Sequence, residues 1–159
     1  MIAKIEVIFS RQGAKTQKAA FIDVLLRILK LFDMDENEIT KIVVNTAFKM
    51  HKELGPGLFE SVYESILEYE LSTEHGLYIQ RQPALPVVWK EINIDLGFKP
   101  DMIVERKIII ELKSVEKVMP VHYKQLQTYL KLTGLKLGLL INFNEALIKD
   151  GIKRIVNGL

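Results

Sequence analysis

The stretch 99–113, KPDMIVERKIIIELK, constrains this chain more than any other. Its pattern predicts two β-strands and a tight turn: Met102–Val104, a polar break at Glu105-Arg106-Lys107, and Ile108–Lys113. The break is short enough for a hairpin, although it lacks the Asn-Gly or Asp-Gly pair that favours the tightest turns. Residues two apart in a strand share a face. Glu111 and Lys113 therefore point one way, and Leu112 points the other way into the core. Charged groups on so apolar a strand cost several kcal/mol unless they are paired or hold an ion. Asp101 follows Pro100 at the opening of the neighbouring strand, so pairing across the turn can set Asp101 beside Glu111. Two carboxylates held that close repel each other unless they share a cation.

The remaining segments supply elements to pack around this hairpin. Residues 37–54 read as a helix, with Asn37 as N-cap, acidic residues in the first turn, and Ile39, Ile42, Val43, Thr46, Ala47 and Met50 as the apolar stripe. Gly55-Pro56-Gly57 stops it. A second helix is expected over 58–74, with Val62, Ile66, Tyr69 and Leu71 inward and His75-Gly76 at its end. Strands are expected over 77–82 and Leu85–Trp89, flanking Pro83, and over 91–98, where alternation indicates one wet face. Pro120 opens a helix that reaches Thr133 and closes at Gly134. A buried strand follows over 135–143, and a short terminal helix over 146–156. The order predicts an α/β (α+β) fold, a small mixed central sheet flanked by helices.

At 159 residues the chain suits one domain with a single core. Residues 1–33 read as an N-terminal extension. Positions 1–9 form a short strand, 10–18 are polar and basic, and 19–32 form an amphipathic helix in which Asp23, Arg27 and Lys30 interrupt the apolar run. Those charges argue against a membrane span and, with no small-residue cleavage site, against a signal peptide. The net charge of +2 gives no global basic field, so any nucleic-acid binding must come from a local patch. Absence of cysteine excludes disulfides and thiolate chemistry and fits a reducing compartment, here expected to be the cytoplasm. Any metal site must be built from oxygen or imidazole ligands.

Pro100-Asp101, nine intervening residues, then Glu111-Leu112-Lys113 resembles the signature of the PD-(D/E)XK nuclease superfamily. Gly57-Leu58-Phe59-Glu60-Ser61-Val62-Tyr63 is similar to the GxxExxY pattern that names one branch of it. The resemblance runs from about residue 34 to the C-terminus, so 34–159 is expected to be one nuclease-like domain with a restriction-endonuclease-like core. It implies a metal-dependent phosphodiester hydrolase acting on DNA or RNA, with Mg²⁺ or Mn²⁺ as cofactor and a homodimer left open. Magnesium prefers oxygen ligands. Asp101, Glu111 and the Leu112 carbonyl are the expected metal ligands, and the resemblance adds Glu60. Lys113 is the expected electrostatic catalyst beside them. Gln125 and Tyr129, four apart on one helix face, resemble the QxxxY motif of exonuclease-like members. Glu60, Asp101, Glu111, Lys113 and Gln125 are thus the candidate catalytic residues, with Gly57, Tyr63, His122 and Tyr129 in support.

Each of these groups has a plainer reading. The Asp101, Glu111 and Lys113 cluster can be a cross-strand salt bridge, and Glu60 a helix-start carboxylate favoured by the macrodipole. The lysines and arginine near the motifs (Lys99, Arg106, Lys107, Lys117, Lys124, Lys131) can serve solubility as well as phosphate contact. Tyr78, Trp89, Tyr123 and Phe143 suit the core as well as base stacking. The rival to an enzyme is a non-catalytic nucleic-acid- or protein-binding module that keeps the nuclease fold.

Overall fold

The structure, a computed structural model, describes residues 34–158; the expected elements of the extension 1–33 lie outside them. Helix α1 spans Glu36–Leu54. Its N-cap is Asp35, whose side chain accepts from the Glu38 N–H at 2.8 Å while Glu38 accepts from the Asp35 N–H at 3.0 Å. This reciprocal box displaces Asn37 from the capping role expected for it, because Asp35 has an acidic partner three residues on. Asn37 instead accepts a hydrogen bond from Arg154 at 2.9 Å. Ile39, Val43, Thr46, Ala47 and Met50 are buried, as the periodicity predicts.

Helix α2 spans Glu60–Tyr69 and runs on into one π-helical turn, Glu70–Glu74. Its buried face is only partly the expected one: Leu71 goes inward as predicted and Ile66 is half-buried. Tyr63, Glu64, Leu67 and Leu71 are buried, whereas Val62 and Tyr69 are exposed. The stripe is turned by about one position because Tyr63 and Leu67, four apart, carry the inward apolar surface, and Glu64 goes in with them.

A five-stranded sheet forms the centre: β1 (Ile79–Arg81), β4 (Met102–Val104), β5 (Ile108–Lys113), β6 (Leu137–Asn142) and β7 (Ile152–Val156), in that order. Only β5 and β6 are parallel, and helix α3 (Pro120–Thr133) connects them. The remaining strands, β2 (Leu85–Trp89) and β3 (Ile92–Phe98), form a separate hairpin. α3 packs on one sheet face through Leu126, Tyr129 and Leu130, which meet Ile103, Ile109, Leu140 and Ile155. The arrangement is the mixed α/β sheet with flanking helices that the sequence predicts.

The expected terminal helix over 146–156 is corrected by the structure. Only α4, Ile148–Gly151, is helical, and β7 then pairs antiparallel with β6. Ile152, Ile155 and Val156 favour a strand. Gly151 passes so close to the Asn142 carbonyl oxygen that any Cβ would collide with it, which brings the chain back onto the sheet at that point. Among the described residues no helix is long and apolar enough to cross a membrane.

Candidate active site

The β4–β5 hairpin closes through Glu105 and Arg106, both at positive φ (51° and 54°), with the Lys107 N–H on the Val104 carbonyl at 2.9 Å. That is a primed β-turn made without glycine, and with Val104 paired to Ile108 the whole connection is three residues, Glu105 to Lys107. Tyr78 compensates for it: its N–H donates to the Glu105 carboxylate at 2.6 Å, and the Arg106 guanidinium lies 5.2 Å from its ring centroid. The turn fixes the register Met102↔Ile110, so Asp101 falls opposite Glu111, as expected. Ile103 and Ile109 face α3, and alternation puts Asp101, Glu111 and Lys113 on that same face at the strand ends.

The side chains meet there. Asp101 Oδ2 accepts from the Leu112 N–H at 2.6 Å. Lys113 Nζ donates to Glu111 Oε1 at 2.8 Å and to the Leu112 carbonyl at 2.5 Å, and lies 3.6 Å from Glu60 Oε1. Glu60, at the first turn of α2, is the most open of the four, with its side chain 40% exposed against 4% for Glu111. Burial and, secondarily, the Glu111 charge push the Asp101 carboxyl up to about 7, against the Leu112 N–H and Lys113 that oppose the shift. Burial likewise raises Glu111, while Lys113 restrains it. Lys113 is raised above its ordinary value because its carboxylate partners outweigh its burial.

The second expected motif stands beside this cluster. Gln125 Nε2 donates to the Tyr129 hydroxyl at 2.6 Å, and that hydroxyl lies 3.5 Å from the Lys99 carbonyl. Tyr129 feels the charges of Glu111, Asp101 and Lys113, but burial is the main cause of its raised pKa. His122 uses Nδ1 to accept from the Met119 N–H at 3.2 Å, so it caps α3. Tyr63 does not enter the cluster. It stacks on Phe143 with ring centroids 4.3 Å apart, donates to the Gly55 carbonyl at 2.6 Å and accepts from the Leu58 N–H at 3.3 Å. It thereby holds the Gly-Pro-Gly loop that launches Glu60. Gly57 serves the same loop, at φ +107° where a side chain would be strained. Phe143 is core, while Tyr78 is exposed beneath Arg106.

Two buried polar residues at the site were not foreseen. Asn142, fully buried, donates to the Val115 carbonyl at 2.8 Å and accepts from its N–H at 3.1 Å, fixing the chain just after Lys113. Glu64, also buried, accepts from Arg81 Nε at 2.8 Å and from Gln82 Nε2 at 3.1 and 3.2 Å. The spacing of Tyr63, Leu67 and Leu71 carried the signal for Glu64, since it rotates that face of α2 inward.

Among the described residues no three carboxylate or imidazole side chains converge closely enough to hold an ion by themselves. The oxygen set nevertheless fits a hard divalent cation. Glu111 Oε2 is buried without a hydrogen-bond partner, and a positive group, the Lys113 ammonium, already sits on the neighbouring oxygens.

Comparison with curated proteins gives no match, and comparison with solved structures gives none either. The family model of the PD-(D/E)XK nuclease superfamily matches residues 37–155, the span that holds the sheet, α2 and the Asp101, Glu111 and Lys113 cluster. With three-quarters of its length so matched, and with a restriction-endonuclease-like core, the chain belongs to the PD-(D/E)XK nuclease superfamily.

Proposed function

We propose that this chain is a metal-dependent phosphodiester hydrolase of nuclease type acting on DNA or RNA, the GxxExxY pattern at 57–63 being part of its site. The observation that carries the reading is the cation already seated among oxygens: Lys113 Nζ on Glu111 Oε1 and the Leu112 carbonyl, beside an unpartnered Glu111 Oε2. Such an arrangement is costly as a purely structural element, because a buried carboxylate oxygen is left unsatisfied. Superfamily membership supplies the chemistry that repays it.

Asp101, Glu111, the Leu112 carbonyl and Glu60 are the residues that would hold Mg²⁺ or Mn²⁺. When bound, the ion polarises a phosphate oxygen and makes a water more acidic. The chain's own contribution is positional. The Leu112 N–H orients the Asp101 carboxylate, and the β4–β5 register sets Asp101 against Glu111. Lys113 neutralises the carboxylates and can present its ammonium to charge that builds on the phosphoryl group. Gln125, braced by Tyr129, would donate its remaining N–H to a phosphate oxygen.

The test is calorimetry with Mg²⁺ and Mn²⁺ together with cleavage of fluorescent single- and double-stranded DNA and RNA, on wild type and Asp101→Ala. Metal binding and cleavage, both lost in Asp101→Ala, are expected. Metal binding without cleavage of any substrate would replace the hydrolase by the binding module, the reading for which the near-neutral net charge of +2 counts.

A further inference from the structure

Adjacent residues of a regular strand point to opposite faces. Arg81 ends β1 and Gln82 lies just beyond it, and both side chains reach the same buried carboxylate, Glu64. They can do so because Gln82 has a φ of +44°, a left-handed conformation that turns its side chain back toward α2. Such a conformation is strained for a non-glycine residue and persists only where its surroundings enforce it. Here Glu64 enforces it from the side chain. From the backbone, the Gln82 N–H donates to the Asp101 carbonyl at 2.9 Å, one residue beyond the β1–β4 ladder.

From this geometry we infer that Glu64 is a positioning residue of the site, acting through Gln82 on Asp101; the inference rests on the metal-site reading above. Asp101 is held at two points. Its carboxylate is held by the Leu112 N–H, and its carbonyl by the Gln82 N–H. Glu60 and Glu64 are four apart on α2 and so lie on one side of it. The first reaches the Lys113 end of the cluster, and the second is locked to the strand that borders Asp101. Glu64 therefore sets the placement of α2 against the β1–β4 edge, and with it the distance at which Glu60 and Asp101 face each other. Residues that orient metal ligands from behind typically change metal affinity about 10- to 100-fold when removed.

The experiment uses the full chain as wild type, Glu64→Ala, Glu64→Gln and Gln82→Gly, with Mn²⁺ alone as probe. Gln82→Gly is the informative variant. Glycine accepts the positive φ without strain, so the melting temperature should hold or rise while the link to Glu64 is cut. Mn²⁺ affinity should fall about tenfold or more in Glu64→Ala and Gln82→Gly. It should stay near wild type in Glu64→Gln, which keeps an oxygen for Arg81 and Gln82. A second readout needs no metal. The Leu112 N–H, held by the Asp101 carboxylate rather than by the sheet ladder, should exchange faster in the two weakened variants, while the Leu140 N–H should not. Folded Gln82→Gly with unchanged Mn²⁺ affinity and unchanged Leu112 exchange overturns the proposal. Should wild type bind no Mn²⁺, the metal reading falls, and Leu112 exchange alone decides whether Glu64 positions Asp101.

Discussion

In the proposed hydrolase, Lys113 is the residue at which metal binding and catalysis should separate. A protonated ammonium cannot ligate a divalent ion, and here it already sits on two of the oxygens such an ion would use. Lys113→Ala should therefore leave Mn²⁺ affinity unchanged or slightly improved, while cutting turnover by roughly a hundredfold or more, the scale for losing one preorganised electrostatic group. Glu111→Ala should abolish both. Calorimetry and oligonucleotide cleavage on the two variants check this, and loss of folding in Lys113→Ala would make the cluster a structural ion pair. A pH dependence follows from the same carboxylates. Burial first, then Glu111, raises Asp101 to about 7, and Glu111 itself is raised by burial. A carboxyl whose folded pKa exceeds its unfolded value, about 4, binds its proton more tightly in the folded state. Its stabilising contribution is complete below the unfolded value and is lost as pH rises through the folded one. Lys113 also has a raised pKa, but it starts from 10.5 and titrates outside this window. The melting temperature of metal-free protein should thus fall between about pH 4 and pH 7, and Asp101→Asn should flatten that fall. A wild-type melting temperature that rises across this range would contradict the raised carboxyls. Mn²⁺ affinity should increase over the same interval, as the proton that competes for Asp101 leaves.

At the scale of elements, the site depends on where β5 ends and on what holds the chain beyond it. Asn142, at the end of β6, fastens Val115 by both its backbone groups, and the Phe143 N–H donates to the Lys113 carbonyl at 2.8 Å. Asn142→Ala leaves the half-buried N–H and carbonyl of Val115 without these partners, at a cost of about 1 kcal/mol or more. Because the stretch that Asn142 fastens directly follows Lys113, metal affinity should drop along with stability; urea unfolding and calorimetry measure the two. Unchanged stability would mean that water replaces the amide. The hairpin, the α3 helix and the Asp101 to Lys113 cluster were readable in the sequence because each rests on short-range pattern: period-two alternation, Pro120 and Gly134 as helix signals, and carboxylates on a strand too apolar to hold them idly. Three features were not readable from such pattern. Asp35 outcompetes Asn37 as a cap through a side chain three residues away. Val62 and Tyr69 look inward by hydropathy, yet the Tyr63–Phe143 stack orients α2. β7 is a strand because β6 offers it an edge, and the sequence 152–156 alone carries little more than β-branched residues to say so.

For the molecule as a whole, the described core carries its own beginning. The capping box of Asp35 and Glu38 starts α1 from within the described residues, and Ile39, Val43, Ala47 and Met50 are buried after that start. Every residue that the sequence motifs point to lies between Gly57 and Tyr129, inside the compact unit Asp35–Leu159 and inside the family match over 37–155. A chain beginning at Met34 should therefore be soluble and should unfold in one cooperative transition. Its Mn²⁺ affinity should stay within about twofold of the full chain, the scatter expected when a deletion shares no partners with the site. The measurements are thermal unfolding followed by near- and far-ultraviolet circular dichroism, and calorimetry on both chains. A truncated chain that keeps its far-ultraviolet signal but loses the near-ultraviolet one, and that binds a hydrophobic dye, would be a molten globule. That outcome would place the apolar face of 19–32 in the core and end the description of 1–33 as an extension. Normal folding with lost Mn²⁺ affinity would instead bring a residue of 1–33 into the site, and Glu60 would no longer be its outermost carboxylate.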